Sequence, residues 1–99
     1  MNVPSAFMIA LLEVIEIALN LYIWLLIIGA IMSWLVAFGV INTYNRFVQT
    51  LGDIIHRITE PALRPIRRVI PPVGGLDLSP LVLIFIIMFL QSFLRHLVF

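Results

Sequence analysis

Glu13 and Glu16 stand three residues apart, so on a helix they share one face, an arrangement that could open a path for a proton or a cation. No third polar residue continues that path inward, and the pair reads as interfacial charge. His56 and His96 fall at opposite ends of the topology derived below, which speaks against a bis-histidine metal or haem site within one chain. Arg64, Arg67 and Arg68 form a basic cluster suited to anionic lipid headgroups, at about 1 kcal/mol per basic residue close to a surface. The same charges would also enforce topology. Asp77 can neutralise one of these arginines or add negative charge at the start of the following helix, where the macrodipole favours it. Beyond these residues no nucleophile elbow, phosphate loop, metal-ligand cluster or acid–base pair can be assembled: Gly74-Gly75 stands alone, and the four serines have no adjacent base. The absence of cysteine excludes disulfides, thiolate metal sites and thiol catalysis. The residues point to a protein that is not an enzyme and needs no cofactor.

The elements that must position these groups follow from composition. The chain has 99 residues, 63% hydrophobic and 11% charged, against roughly 45–50% and about 25% in soluble domains. Residues 17–45 and 78–94 carry no charge, and two such runs define an integral membrane protein. A signal peptide would want a basic start and a shorter apolar core, so the first run is read as a retained span over residues 17–38, about 33 Å of helix. Ser5 is placed to cap the helix that Ala6 begins, and residues 6–16 extend it beyond the apolar core. In residues 44–59, Tyr44, Phe47, Val48, Leu51, Ile54, Ile55 and Ile58 recur at helical spacing opposite a polar side. That pattern predicts an amphipathic helix lying in the membrane surface. Residues 60–77 carry Pro61, Pro65, Pro71, Pro72, Gly74 and Gly75 and are expected to form an irregular connection, since prolines lack the donor a helix interior needs. Ser79 as cap and Pro80 in the first helical position start the second span, residues 78–97. Its uncharged part is about 25 Å long, so Arg95 must snorkel or the helix must borrow residues 97–99.

The fold class is therefore an all-α membrane protein: a two-span transmembrane helical hairpin with an interfacial amphipathic helix and a Pro/Gly-rich connection. All six basic residues are arginine, and five lie between the spans, so the positive-inside rule puts the connection in the cytoplasm and both termini outside. Antiparallel spans bring Asn20 level with Gln91, an amide pair worth on the order of 1 kcal/mol in a membrane. Gly29, Ser33 and Ala37 recur every fourth residue and offer a stripe for close helix packing. Trp34 fits an aromatic belt at the end of the first span. So short a chain has a small core, and self-association or a larger membrane-protein partner is expected. The basic segment is short, broken by proline and held at a membrane, which leaves no case for nucleic acid.

The order Glu60-Pro61-x-Leu63-x-Pro65-x-Arg67-Arg68-x-x-Pro71-Pro72-x-Gly74-Gly75-x-Asp77-x-Ser79-Pro80, preceded by Ser33-Trp34 at the end of a span, resembles the YggT family, also called YlmG, of small membrane proteins. The resemblance implies a membrane-embedded helical unit that occurs singly in some members and duplicated in others; here it is single. It also implies a bacterial plasma membrane location. Plant and cyanobacterial relatives are linked with cytochrome bf assembly, including haem attachment, and with nucleoid or plastid division; bacterial relatives are associated with osmotic stress and cell division. The resemblance carries no catalytic residue onto this chain.

The expected function is a non-enzymatic scaffold or assembly factor. Its Arg64, Arg67, Arg68 and Asp77 would meet membrane lipids and a membrane partner, in membrane-complex assembly or cell division. The rival is an oligomeric transport or channel subunit in osmotic or ion homeostasis, its pathway lined by Ser33, Asn20, Gln91, Glu13 and Glu16; two helices alone cannot enclose a pore.

Overall fold

The computed structural model describes residues 3–41, 45–74 and 76–98. Within them the chain forms three helices, α1 Val3–Ala37, α2 Arg46–Val69 and α3 Ser79–Val98, and no strand. Two segments, Ser5–Ala37 and Ser79–Leu97, are long and apolar enough to cross a membrane.

α1 begins at Val3, ahead of the expected start, and Ser5 lies inside the helix instead of capping it. Pro4 falls in the first turn, where its missing amide donor breaks no intrahelical bond. The helix ends in a Schellman arrangement. Gly39 takes φ +74°, its amide donates to the Val36 carbonyl at 3.0 Å, and the Val40 amide reaches the Leu35 carbonyl at 2.9 Å. A side chain at Gly39 would be strained there, which is why the apolar run stops being helical before its sequence does.

α2 differs from expectation at both ends. Tyr44, its expected first residue, lies outside the described residues; Asn45 is the cap, its Oδ1 accepting from the amides of Phe47 at 2.9 Å and Val48 at 3.4 Å. The larger correction is at the other end, where the helix runs through Pro61 and Pro65 to Val69, ten residues beyond residue 59. The two prolines stand four residues apart on one exposed face, so the backbone bonds they forfeit lie on that side. Ile55, Thr59 and Leu63 are buried on the opposite side, and Glu60 pairs with Arg67 across both prolines. Burial and this brace outweigh two missing donors. The helix stops at Ile70 (φ −110°, ψ 109°), whose conformation is the one imposed on a residue that precedes proline. The irregular connection is thus confined to residues 70–78, where Val73 and Leu76 exchange backbone bonds at 3.0 Å around Gly74, φ +60°. Gly75 lies outside the described residues.

α1 and α3 run antiparallel. Gln91 Nε2 donates to Asn20 Oδ1 at 2.8 Å near one end, and the Trp34 indole donates to the Asp77 carbonyl at 3.2 Å near the other. Trp34 is therefore tied to the connection as well as sitting at a helix end. α2 packs on α1 through Tyr22, whose hydroxyl donates to the Ile58 carbonyl at 3.1 Å, and through Gly29 against Ile55. These contacts place α2 across the middle of α1, inside residues 17–38, and not beyond their end. The three helices meet at Leu26, Leu63, Leu83 and Ile87, with Leu19, Tyr22, Ile23, Ala62, Ile66 and Ile84 around them. Outward, α1 and α3 expose a band of Phe7, Val14, Ile17, Leu21 and Trp24 with Phe85, Phe89 and Phe93. Such a band is a liability in water and a fit to hydrocarbon.

Candidate functional site

The charged residues of the connection and of α2 fall into two groups with opposite roles. The first is a network. Arg67 Nε donates to Asp77 Oδ2 at 2.8 Å while its Nη1 donates to Glu60 Oε2. His56 Nδ1 stands 3.6 Å from the same Glu60 oxygen. Asp77 Oδ1 accepts from the Ser79 amide at 3.0 Å and so caps α3. The cap expected of Ser79 is supplied two residues earlier, because an Asp oxygen two residues upstream reaches that free amide in an Asx turn. Ser79 itself is fully buried, its Oγ without a bonding partner among the described residues. Burial raises the Asp77 pKa, but the bond from the Ser79 amide and the Arg67 guanidinium outweigh it and hold the carboxyl below the usual carboxylate range. Burial likewise opposes the Arg67 charge, and its bonds to Glu60 and Asp77 prevail, raising its pKa.

The second group is exposed. Arg64 and Arg68 point away from the core and make no ion pair among the described residues. Arg57 joins them. Positions 57, 64 and 68 share one helix face, so three guanidinium groups that make no ion pair among the described residues line the outer side of α2. Of the four residues singled out in the sequence, Arg67 and Asp77 hold α2 to α3, whereas Arg64 and Arg68 remain available. Arg57 was not singled out. Its signal was the spacing to Arg64 and Arg68, which becomes meaningful only if the helix passes Pro61 and Pro65.

The stripe on α1 divides in the same way. A Cβ on Gly29 would come within 2.8 Å of Ile55 Cγ2, so this position takes the backbone of α1 against α2. Ser33 opens into a groove between α1 and α2, and Ala37 is exposed. The groove measures about 320 Å³ and is lined by Leu26, Ala30, Met32, Val36, Val48, Ile55 and Leu63 with Ser33, Asp53, His56, Thr59, Arg67 and Asp77 among its polar groups. At the far end of the bundle Arg95 Nε lies 3.3 Å from Glu16 Oε1, next to the Asn20–Gln91 bond. The two carboxylates near the start of α1 are therefore not an isolated pair: Glu16 is bound to α3, and Glu13 lines the same recess. His96 bonds the Ser92 carbonyl at 2.8 Å through Nδ1.

Residues 8–98 match the family model described as CCB3/YggT. An uncharacterized protein of Vibrio alginolyticus is 41% identical over 75 residues, covering 76% of this chain and 36% of that protein. An uncharacterized protein of Haemophilus influenzae is 36% identical over 75% of this chain and 36% of its own length. The uncharacterized protein YggT of Escherichia coli is 30% identical over 85% of the chain and 40% of its own length. The chain thus spans less than half the length of these relatives. No solved structure matches it.

Proposed function

The chain belongs to the CCB3/YggT family, and on that footing we propose that it is a non-enzymatic membrane scaffold whose α2 presents arginines to anionic lipid headgroups and a membrane-protein partner. α1 and α3 cross the bilayer, and α2 packs on the cytoplasmic half of α1, with its outer face turned to the headgroups on that side. The candidate span of α1 has 33 residues, about 50 Å of helix against a hydrocarbon core of roughly 30 Å. It therefore has helix to spare, and the surplus lies at the N-terminal end, before residue 17. The observation that carries this reading is the division of the arginines: Arg67 is satisfied internally, while Arg57, Arg64 and Arg68 share an outer face, with Asp53 one turn before Arg57, and make no ion pair among the described residues. Exposed Phe47, Ile54 and Ile58 on the same helix supply apolar side chains for the acyl boundary. Pairing of Asn20 with Gln91 and of Glu16 with Arg95 engages side chains that a transport pathway would need, which favours the scaffold over a channel subunit.

The test is lipid selectivity. Purified chain offered phosphatidylglycerol and phosphatidylcholine together should retain the anionic lipid. Arg64→Gln with Arg68→Gln should lower that preference by roughly 30-fold, two contacts of about 1 kcal/mol each. The double variant should stay folded, because both side chains are exposed and neither makes an ion pair among the described residues. Unchanged selectivity in the double variant rejects the reading.

A further inference from the structure

The outer face of α2 carries two backbone acceptors besides its arginines. Pro61 and Pro65 stand inside a continuous helix and have no amide hydrogen, so the carbonyls of Arg57 and Pro61, four residues before them, lack the donor that α-helical geometry supplies. Both belong to exposed residues. Positions 57, 61, 64 and 68 follow one another at intervals of four, three and four, which sets them in one stripe along the helix. The two acceptors are therefore one turn apart, about 6 Å along the axis, within a row of arginines. A carbonyl freed by proline in a membrane protein takes its donor from outside the helix. The adjoining carbonyl of Ile58 already accepts one, the Tyr22 hydroxyl of α1 at 3.1 Å. Arg57 and Pro61 lie opposite the buried Ile55, Thr59 and Leu63, so a donor for them must come from outside the bundle. Around them the charge is positive: Asp53, one turn before Arg57, sets one carboxylate against Arg57, Arg64 and Arg68, and Glu60 is held by Arg67.

We propose that this stripe selects phosphatidylglycerol among anionic lipids, its phosphate meeting the arginines and its glycerol hydroxyls donating to the Arg57 and Pro61 carbonyls. The headgroup supplies both things the stripe lacks. Its phosphodiester brings negative charge to the guanidinium groups, and its two adjacent hydroxyls bring donors. With an ordinary hydrogen bond of roughly 2.8 Å at each end, a pair of adjacent hydroxyls bridges acceptors one turn apart. An anionic phosphodiester without hydroxyls satisfies the arginines alone. An ammonium headgroup has donors, but its charge opposes the arginines. The inference rests on the lipid reading above and adds to it the choice of headgroup.

The test offers the purified chain phosphatidylglycerol, phosphatidylmethanol and phosphatidylcholine with matched acyl chains in equal amounts, and counts each bound lipid by native mass spectrometry. Phosphatidylmethanol keeps the phosphodiester charge and has no headgroup hydroxyl. Wild type should retain phosphatidylglycerol over phosphatidylmethanol roughly fivefold, the worth of one net hydrogen bond. Pro61→Ala with Pro65→Ala returns an amide to each carbonyl within the helix, so that ratio should fall to equality while both anionic lipids stay preferred to phosphatidylcholine. This variant should fold at least as well, since alanine suits a helix interior better than proline. Arg64→Gln with Arg68→Gln should instead lower both anionic lipids. Equal retention of phosphatidylglycerol and phosphatidylmethanol by wild type overturns the proposal, leaving water on both carbonyls, as does a ratio that survives the alanine replacements. Loss of all anionic preference in the alanine variant also overturns it, because the prolines would then shape the arginine face and not open acceptors. If anionic preference responds to the arginine variants while wild type holds the two anionic lipids equally, only the headgroup assignment falls.

Discussion

Gly29→Leu should detach α2 from α1 while leaving both apolar helices inserted. The cause is steric and local. A single Cβ at position 29 would stand 2.8 Å from Ile55 Cγ2, closer than real side chains approach. The obstructing atom is the branch methyl of an isoleucine, whose χ1 is stiff in a helix, so it cannot swing aside cheaply. Even Gly29→Ala should cost about 1–3 kcal/mol through overpacking. Leucine should exceed that and displace the segment that carries Ile55, Thr59 and Leu63. Amide hydrogen exchange checks it: protection across α2 should fall in Gly29→Leu. In Gly29→Ala with Ile55→Ala the protection should return, because the second change removes the blocking methyl. Exchange in α2 unchanged by leucine would mean that the helices do not meet there.

Asp77→Ala should produce the other large effect, because one side chain caps α3 and anchors Arg67. Loss of an N-cap costs about 1 kcal/mol. The ion pair adds about 0.5–1 kcal/mol after solvent screening, since Arg67 keeps a third of its side-chain surface exposed. Together the loss is about 2 kcal/mol, visible as a lowered thermal midpoint in detergent. Asp77→Asn keeps an acceptor for the Ser79 amide and gives up the charge, so it should fall between wild type and alanine. The sign of the pH dependence follows from the depressed Asp77 pKa. Its charge contributes fully above the unfolded carboxylate value of about 3.9, and the contribution disappears as pH falls through the lower folded value. The gap between wild type and Asp77→Asn should be wide at pH 7 and close as pH drops below about 4. A gap that persists in acid would assign the effect to shape and not to charge.

Much of the helical order is legible in the sequence, since two uncharged runs and one alternating face leave few arrangements. The level of Asn20 and Gln91 is readable as well, because an antiparallel register is fixed once the spans are connected at one end. What is not legible is the persistence of α2 through Pro61 and Pro65. Local chemistry argues for a break there, and the burial of Thr59 and Leu63 together with the Glu60–Arg67 pair outweighs it. That single misreading hides two features of the site. It conceals the shared face of Arg57, Arg64 and Arg68, and it conceals the Glu60–Arg67 brace, which requires continuous helix between its ends. The Gly29, Ser33 and Ala37 spacing announces close approach without saying which helix approaches. Only the contact with Ile55 shows that the neighbour is α2 at one position and a groove at the next.

The central proposal is that the arginine face of α2 lies on the cytoplasmic side of the membrane. The chain has no cysteine, so a single thiol placed at Val69, an exposed position at the end of α2, reports its surroundings without background. In intact bacterial cells a membrane-impermeant maleimide should leave Val69→Cys unlabelled until the cells are permeabilised, whereas Asn2→Cys should react from outside. Labelling of Val69→Cys in intact cells would put α2 on the outer face and contradict the account.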